Sequence, residues 1–398
     1  MPLRQLCKII QNSEGGLEII LSDLRVLHVL GKMQPGGIQA FLVSLHRELR
    51  QCGIQFDYLL KSDGPDYFDD EITALGGRVY HFPYNGNLPV VAQRKLEFFF
   101  EAHSYEIVHC HFGFLRNMSP LIAARKVGVP TRILHAHSAG SQWKGPKEKA
   151  FALQHLWNKR FSLGEATDLF ACSERSAEWF GYGGKGEPWR YIPNGIDCER
   201  FAFDARARKE KRKELGLTQE DICVGHVGRL TALKNHAFLL RVFCLLKKRN
   251  PSVKLLLVGD GELRGAIEDQ VRTLALSDSV IMTGSRSDLR ELYSAMDVFA
   301  FPSLFEGLGM ALVEAQANGL PSVSSNGIPS EAFVCESAHA ESCMNEKVWA
   351  SSLERALALG RDEGQLQSVK NAGFDIREVA QFLCDFYREK AEAGIGAE

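Results

Sequence analysis

The sequence predicts an α/β protein made of two doubly wound domains, and two observations carry that prediction. Short, near-continuous apolar runs alternate with amphipathic helical patterns along both halves of the chain, as expected of parallel strands covered on both faces. The alternation breaks once, at the turn-rich segment YIPNGID (191–197) followed by a charged run over 206–214, which marks a domain boundary. A chain of 398 residues is long enough for two such domains with full cores. A composition of 45% hydrophobic and 24% charged residues reads as an ordinary soluble protein, and a net charge of −2 implies no general attraction to nucleic acid.

Residues 1–23 lie outside the alternation. They hold one short apolar patch at 17–21, flanked by Glu14, Glu18 and Asp23. That is a poor signal peptide, so the segment reads as an N-terminal extension, either disordered or an over-long start. No stretch reaches the ~18 apolar residues of a membrane span. The ten cysteines form no C-x-x-C pair, which suits a reducing compartment rather than a zinc finger or a disulfide framework.

From Leu24 onward, strands are expected at 24–30, 54–60, 78–82, 106–111, 132–137 and 168–172, with helices between most of them. The loop after the first strand ends in Gly36-Gly37 and opens a helix over 38–51. It lacks the G-x-G-x-x-G spacing, so a dinucleotide fingerprint is not supported. His109 and His111 end one strand, and His135 and His137 end another. A spacing of two puts both members of a pair on one face. Such histidines could ligate zinc, act catalytically or be structural. His137, followed by small polar residues, is expected to face the ligand. Residues 125–160 are basic: Arg125, Lys126, Arg132, Lys144, Lys147, Lys149, Lys159 and Arg160 stand against Glu148 alone, with Trp143 and Trp157 interleaved. Either a solvated helix face or docking on an anionic membrane surface would use that pattern.

In the second half, strands are expected at 222–227, 253–258, 280–283, 298–301 and 320–324, and helices at 237–248, 262–274 and 288–295. The first of these strands runs into Gly228-Arg229 and Lys234-Asn235, two cations flanking a loop before a helix, which suits a diphosphate. The stretch VFAFPSLFEGLGMALVEAQANGL (298–320) reads as strand, loop and helix, with Glu306 in the loop and Glu314 on the helix. Its glycines allow close backbone approach, and the helix start aims N–H groups at an anion. Glu314 lies in an apolar helix, where a buried carboxylate needs a partner such as a ribose diol. A final amphipathic helix spans 374–393.

Together, Gly228-Arg229, Lys234-Asn235, Val258-Gly259-Asp260-Gly261, Gly284-Ser285-Arg286 and Glu306 followed after seven residues by Glu314 resemble the family 4 retaining glycosyltransferases. In the first half, Leu27-His28-Val29-Leu30, Gly36-Gly37-Ile38-Gln39, Asp57, His109-x-His111 and His135-Ala-His137-Ser138 are similar to the branch that builds bacterial exopolysaccharide and capsule. The resemblance covers roughly residues 24–390. It implies a GT-B fold: two Rossmann-like domains facing across a cleft, the acceptor domain at 24–195 and the donor domain at 196–374, with a helix at 375–398 returning to the first. It implies transfer of a sugar, with retention, from a nucleoside-diphosphate sugar, taken as a UDP-sugar, to a lipid-linked or growing saccharide.

Carried over residue by residue, Arg229 and Lys234 would hold the diphosphate, and Glu314 would bind the ribose. Glu306 would face the donor sugar, with its exact part in catalysis left open. The backbone of Gly307, Leu308, Gly309 and Met310 would contact sugar or phosphate, and the backbone near Arg286 would meet the base. His137 would meet the transferred sugar, and Gly36 and Gly37 would close over the phosphates. No cofactor besides the donor, no metal and no nucleic acid is implied. The expected location is cytoplasmic, peripheral at the inner face of the membrane. The stretch 327–343 departs from the pattern. Two other classes stay open from the residues alone: a metal-dependent hydrolase using the His-x-His pairs with Asp168, and a non-catalytic nucleotide-sugar-binding subunit.

Overall fold

The computed structural model describes residues 7–11, 17–21, 24–83, 89–140, 146–184, 186 and 188–395. The chain divides into two compact units, one formed by Met1–Ile192 with Ile376–Glu398 and the other by Pro193–Asp375. In the segment expected to be an extension, β1 (Cys7–Gln11) and β2 (Leu17–Leu21) pair antiparallel as a separate two-stranded sheet.

The first unit is built on a seven-stranded parallel sheet. Its strands are β3 (Leu24–Leu30), β4 (Ile54–Leu60), β5 (Val79–His81), β6 (Ile107–Phe112), β7 (Thr131–Ala136), β8 (Asp168–Ala171) and β9 (Arg190–Tyr191), in the order β5-β4-β3-β6-β7-β8-β9. The second unit holds β10 (Ile222–Val227), β11 (Val253–Val258), β12 (Val280–Gly284), β13 (Val298–Phe301), β14 (Ser322–Ser325) and β15 (Ala338–Glu341). Their order is β12-β11-β10-β13-β14-β15, and all are parallel. In each unit the chain starts at a central strand, winds to one edge, then returns to the centre and winds to the other. This is the Rossmann-like, doubly wound arrangement. The reversal points lie between β3 and β6 and between β10 and β13, and ligands of such sheets lodge outside the carboxyl ends of the strands there.

Period-two alternation sorts the side chains of the first unit into two cores. Val26, Leu30, Phe56, Tyr58, Ile107, Ile133 and Phe170 pack with helix Gly37–Leu49 and helix Ile376–Ile395. Leu27, Val29, Val108, Cys110, Leu134 and Ala136 pack with helices Pro89–His103 and Ser119–Lys126 on the other face. Burying both faces is what makes these strands read as unbroken apolar runs. In the second unit, Val224, Leu255, Leu257, Val298 and Ala300 face helices His236–Arg249, Arg264–Thr273 and Glu346–Leu359. Strand β15 falls inside the stretch least like the family pattern. Only one of its four residues is buried, so no apolar run announces it. The final helix starts at Ile376, after a break at Gly373 (φ 82°).

One polar interaction locks the first sheet. The fully buried Asp57 on β4 accepts from Arg25 Nε and Nη2 (2.8 and 2.6 Å), from Tyr105 Oη (2.7 Å) and from the Arg78 amide (2.8 Å). Burial raises the Asp57 pKa, but Arg25, Tyr105 and the amide outweigh it, and the net direction is downward. A carboxylate whose folded pKa is depressed adds stability above its unfolded pKa of about 4 and loses it as pH falls through the lowered value. Asp57→Asn is expected to destabilise this unit by about 3 kcal/mol, because it leaves Arg25 without its counter-charge. It should also flatten the acid limb of stability against pH. Urea unfolding of both proteins between pH 7 and pH 3 checks this; a variant with an unchanged acid limb would show that the pair does not carry it.

Candidate active site

In the second unit the predicted residues gather where the winding reverses. The loop after β10 carries Arg229 and Lys234; the loop after β13 carries Glu306 to Gly309. The two loops are tied backbone to backbone, Leu304 N–H donating to the Leu233 carbonyl (2.8 Å). Across that tie Lys234 Nζ pairs with Glu306 Oε1 at 2.5 Å, both side chains being mostly buried (18% and 17% exposed). Lys234 also lies over the ring of Phe301, 4.7 Å from its centroid. Arg229 is exposed, and no ion pair among the described residues includes it.

Close approach of strand ends sets the loop shapes. Gly259 (φ +136°) sits where an added Cβ would come within 2.1 Å of the Gly228 carbonyl oxygen, and its N–H donates to the Gly284 carbonyl (2.9 Å). The carboxyl ends of β10, β11 and β12 are thus drawn together. After β13, Gly309 (φ +96°) turns the chain into helix Met310–Ala317, and no side chain caps its start. The first N–H groups of this helix therefore lack the usual side-chain acceptor, and the positive end of its dipole lies beside Glu306 and Lys234. Gly307 and Met310 are half-buried, whereas Leu308 is buried and serves as core.

Glu314 comes back over the same loops one turn into that helix. Its Oε2 accepts from the buried Tyr293 Oη at 2.8 Å. Burial raises its pKa, and the Tyr293 hydroxyl, Lys234 and Arg200 counteract that rise. The partner that sequence reasoning demanded for this carboxylate is therefore in part internal. Tyr293 was missed because nothing in Leu289–Ala295 separates a tyrosine that packs on Phe299 from one that holds a glutamate; it does both. The guanidinium of Arg286 is committed to Asp288 (2.5 Å) and Glu214 (2.8 Å), which push its pKa up. Its loop, not its charge, is what remains available for a ligand.

In the first unit, Gly36 and Gly37 open helix Gly37–Leu49, again with no side-chain cap, and both are exposed. The histidine pairs lie on the face covered by the final helix, and they join with His28 into two hydrogen-bonded rows. His28 Nδ1 pairs with His111 Nε2 (2.9 Å), and His111 Nδ1 with His137 Nε2 (2.9 Å). Beside them, Tyr387 Oη pairs with His109 Nδ1 (2.7 Å), and His109 Nε2 with His135 Nδ1 (3.1 Å). All five rings are buried. Burial lowers the pKa of His28, His109, His111 and His135 well below the usual value, so these four are neutral near pH 7.

Two groups, His28-His109-His111 and His111-His135-His137, bring one ring nitrogen each to within 4.8 Å of one another, the only sets among the described residues that could hold a metal ion. Several of their nitrogens bond to one another, although His28 Nε2 is buried without a hydrogen-bond partner, and no carboxylate joins them. Asp168, the carboxylate a hydrolase would need, pairs instead with Arg190 (3.1 Å) and Lys390 (2.9 Å). β7 ends at Ala136, so His137 is the first residue beyond the strand.

The basic stretch forms helix Pro146–Ser162 and its neighbours. Trp143 and Lys144 lie outside the described residues, as do the side chains of Lys147 and Glu148. Arg125 and Lys126 are paired with Glu165 and Glu97, and Arg132 is held by backbone carbonyls. Lys149 and Arg160 are exposed. Sequence reading singled out Trp157 but missed the stripe it belongs to. Leu153, Leu156, Trp157 and Phe161 are 69%, 58%, 68% and 55% exposed at helical spacing.

Replacing Tyr293 with Phe is expected to remove the hydroxyl that donates to Glu314 and to let burial raise its pKa further. If the site takes a nucleotide, the acid limb of its binding should move to higher pH, at a stability cost of about 1 kcal/mol. Titration of nucleotide affinity between pH 5 and 8 in the two proteins measures it, and coincident profiles would remove Tyr293 from the site.

Comparison with known proteins agrees with this fold. Residues 207–373 match the model of glycosyl transferases group 1, and residues 36–195 match the glycosyl transferase 4-like domain. The chain is 35% identical over 379 residues to EpsF of Bacillus subtilis (strain 168), named as a glycosyltransferase, covering 93% of this chain and 98% of that one. It is 29% identical over 317 residues to an Escherichia coli UDP-Gal:α-D-GlcNAc-diphosphoundecaprenol α-1,3-galactosyltransferase, covering 77% and 80%. Among solved structures, Anabaena HepE in complex with UDP and glucose superposes with a TM-score of 0.72 at 20% identity, covering 91% and 99%. Sucrose-phosphate synthase from Thermosynechococcus elongatus superposes at 0.74 with the same identity, covering 93% and 99%. The chain belongs to the family 4 glycosyltransferases, with the GT-B fold, and is a glycosyltransferase.

Proposed function

We propose that the protein transfers a sugar, with retention of configuration, from a UDP-sugar to a lipid-linked or growing saccharide acceptor in exopolysaccharide or capsule synthesis, and that it does so without a metal ion. The observation that carries this reading is the meeting of Lys234, Glu306, Glu314 and an uncapped helix start at the reversal point between β10 and β13. A departing nucleoside diphosphate gathers negative charge. Lys234, Arg229 and the N–H groups at Gly309–Met310 are fixed donors for that charge, the part a divalent cation plays elsewhere. Lys234 is held against Glu306 rather than against an internal structural partner, so an incoming diphosphate takes over a cation already in place.

Glu314 accepts from the ribose hydroxyls with the oxygen that Tyr293 leaves available. Glu306 faces the donor sugar. The loop at Gly284–Arg286 meets the base through its backbone. In the first unit, His137 meets the transferred sugar, and the exposed Gly36-Gly37 helix start meets the phosphates. The E. coli relative acts on a diphosphoundecaprenol acceptor and the Anabaena structure holds UDP, which supports the substrate classes named here.

Lys234→Ala is expected to lower turnover at least a hundredfold while the protein keeps its fold. Glu314→Gln should weaken nucleotide affinity about tenfold. Release of the nucleoside diphosphate from its sugar reads the first, and a thermal-shift panel of nucleoside diphosphates and their sugars, run in EDTA, reads the second. The wild type should shift with a uridine nucleotide, and Glu314→Gln should need about tenfold more of it for the same shift. A shift that EDTA abolishes would refute the metal-free site.

The exposed stripe Leu153-Leu156-Trp157-Phe161, with Lys149 and Arg160 alongside, supports docking on an anionic membrane at the cytoplasmic face, where a lipid-linked acceptor would be met. No helix among the described residues is long and apolar enough to cross a membrane. Trp157→Ser combined with Lys149→Glu should abolish sedimentation with phosphatidylglycerol vesicles and leave soluble nucleotide binding intact. Equal sedimentation of variant and wild type would reject this surface.

A further inference from the structure

The loop between β3 and helix Gly37–Leu49, proposed above to meet the phosphates, has little stiffness of its own. In GKMQPGG (31–37) three of the seven residues are glycine, and glycine has more backbone freedom to lose than any other residue. The loop is nevertheless tied down at residues 33 and 34. The Met33 side chain is buried in the core with Val26 and Leu30. Its N–H donates to Asp66 Oδ2 (2.9 Å), and Gln34 Nε2 donates to Asp66 Oδ1 (2.6 Å). Gln39 Nε2 closes the helix side on the Lys32 carbonyl (2.9 Å). Beyond these ties Pro35, Gly36 and Gly37 are exposed.

Asp66 is itself held from behind, across the carboxyl ends of β4 and β5. Ser62 Oγ, just past β4, lies 3.1 Å from Asp66 Oδ2 and 2.8 Å from Nδ1 of His81, the last residue of β5. His81 Nε2 pairs with Asp69 Oδ2 (2.8 Å), and that same oxygen accepts from the Asp66 amide (2.8 Å). The four residues thus close into a ring. Ser62, His81 and Asp69 are linked in the order of a hydrolase triad, but Ser62 is only 6% exposed. A carboxyl oxygen 3.1 Å from its hydroxyl would also repel a developing oxyanion. The ring supports Asp66; it does not arm a nucleophile.

We propose that Asp66 is a positioning residue for the donor: by holding Met33 and Gln34 it keeps the Gly36-Gly37 helix start in place before the phosphates arrive. The positioning role rests on the reading of Gly36 and Gly37 given above; the latch itself does not. A ligand that needs one loop conformation binds more weakly in proportion to the time the loop spends elsewhere. Both carboxyl oxygens of Asp66 are committed to the loop. The entropy of ordering its glycines is therefore lost on folding rather than on binding.

Hydrogen–deuterium exchange of the full, ligand-free chain reads the latch, and calorimetric titration with UDP reads its use. Asp66→Ala is expected to speed exchange in the peptide over 31–37 about tenfold and to weaken UDP binding about tenfold. Gln34→Glu sets a carboxylate against Asp66 and should do the same from the loop side, leaving the supporting ring untouched. Adding Asp66→Asn to Gln34→Glu supplies an amide that donates to the new carboxylate, and should restore slow exchange and UDP affinity. A merely structural role for Asp66 would make the double variant worse than either single one. Unchanged exchange in Asp66→Ala and Gln34→Glu overturns the latch. Faster exchange with unchanged UDP affinity leaves the latch but overturns the positioning role. A wild type that binds no UDP refutes the donor reading and the positioning role with it, while the exchange rates still decide the latch.

Discussion

The second unit depends on one short backbone link, the hydrogen bond from Leu304 to Leu233, which joins the loops on either side of the point where the sheet reverses its winding. A parallel sheet delivers every strand to the same edge, but only neighbouring strands wound in opposite directions leave a gap there that no crossover helix covers. Strands β10 and β13 are such neighbours. The link brings a lysine from one loop to a glutamate on the other, and Gly309 lets the next helix begin close enough for Glu314 to join them. Gly228, Gly259 and Gly284 carry no side chain for a related reason: three strand ends converge behind the link, and at Gly259 a methyl group would collide with a carbonyl oxygen.

Much of this arrangement was legible in the sequence because its residues are expensive to place anywhere else. A buried glutamate in an apolar helix, paired cations before a helix and glycines at strand ends each violate a local rule, and such violations tend to mark functional positions. The strands were legible because both faces of each sheet are buried, which turns them into apolar runs; β3, β4, β10, β11 and β13 have the expected limits. What the sequence did not disclose were partners distant in the chain. Tyr293 holding Glu314 and Tyr387 holding His109 are ordinary core tyrosines until the fold brings them across. Strand β15 escaped notice for the converse reason: it lies at an edge and mostly faces solvent, so it has no apolar signature. The N-terminal segment gave too little pattern to foresee the pairing of β1 with β2.

The histidines show how far spacing alone can take an argument. His-x-His at two strand ends correctly put each pair on one face, and that is all the spacing contains. It left zinc, catalysis and packing open. Which nitrogen meets which is a matter of register: His28 lies opposite His109, and His111 opposite His135. Five imidazoles on adjacent parallel strands are brought into contact range sideways, and burial then keeps those with shifted pKa values uncharged. A neutral stack needs no counter-ion, which explains why an otherwise apolar face tolerates so many polar rings without an acid among them.

The first unit is discontinuous in sequence, and that has a consequence for how it comes to exist. Its core on the histidine side includes Ile376, Val379, Leu383, Phe386 and Tyr387, separated from the rest by the whole of Pro193–Asp375. During synthesis the sheet of β3 to β9 leaves the ribosome long before the helix that covers it. Val26, Leu30, Phe170 and the imidazoles must wait with one face open while the second unit, contiguous in sequence, is made and folds. The first half of the chain is therefore the last to be finished, and that interval is when its apolar face is accessible to chaperones and to aggregation.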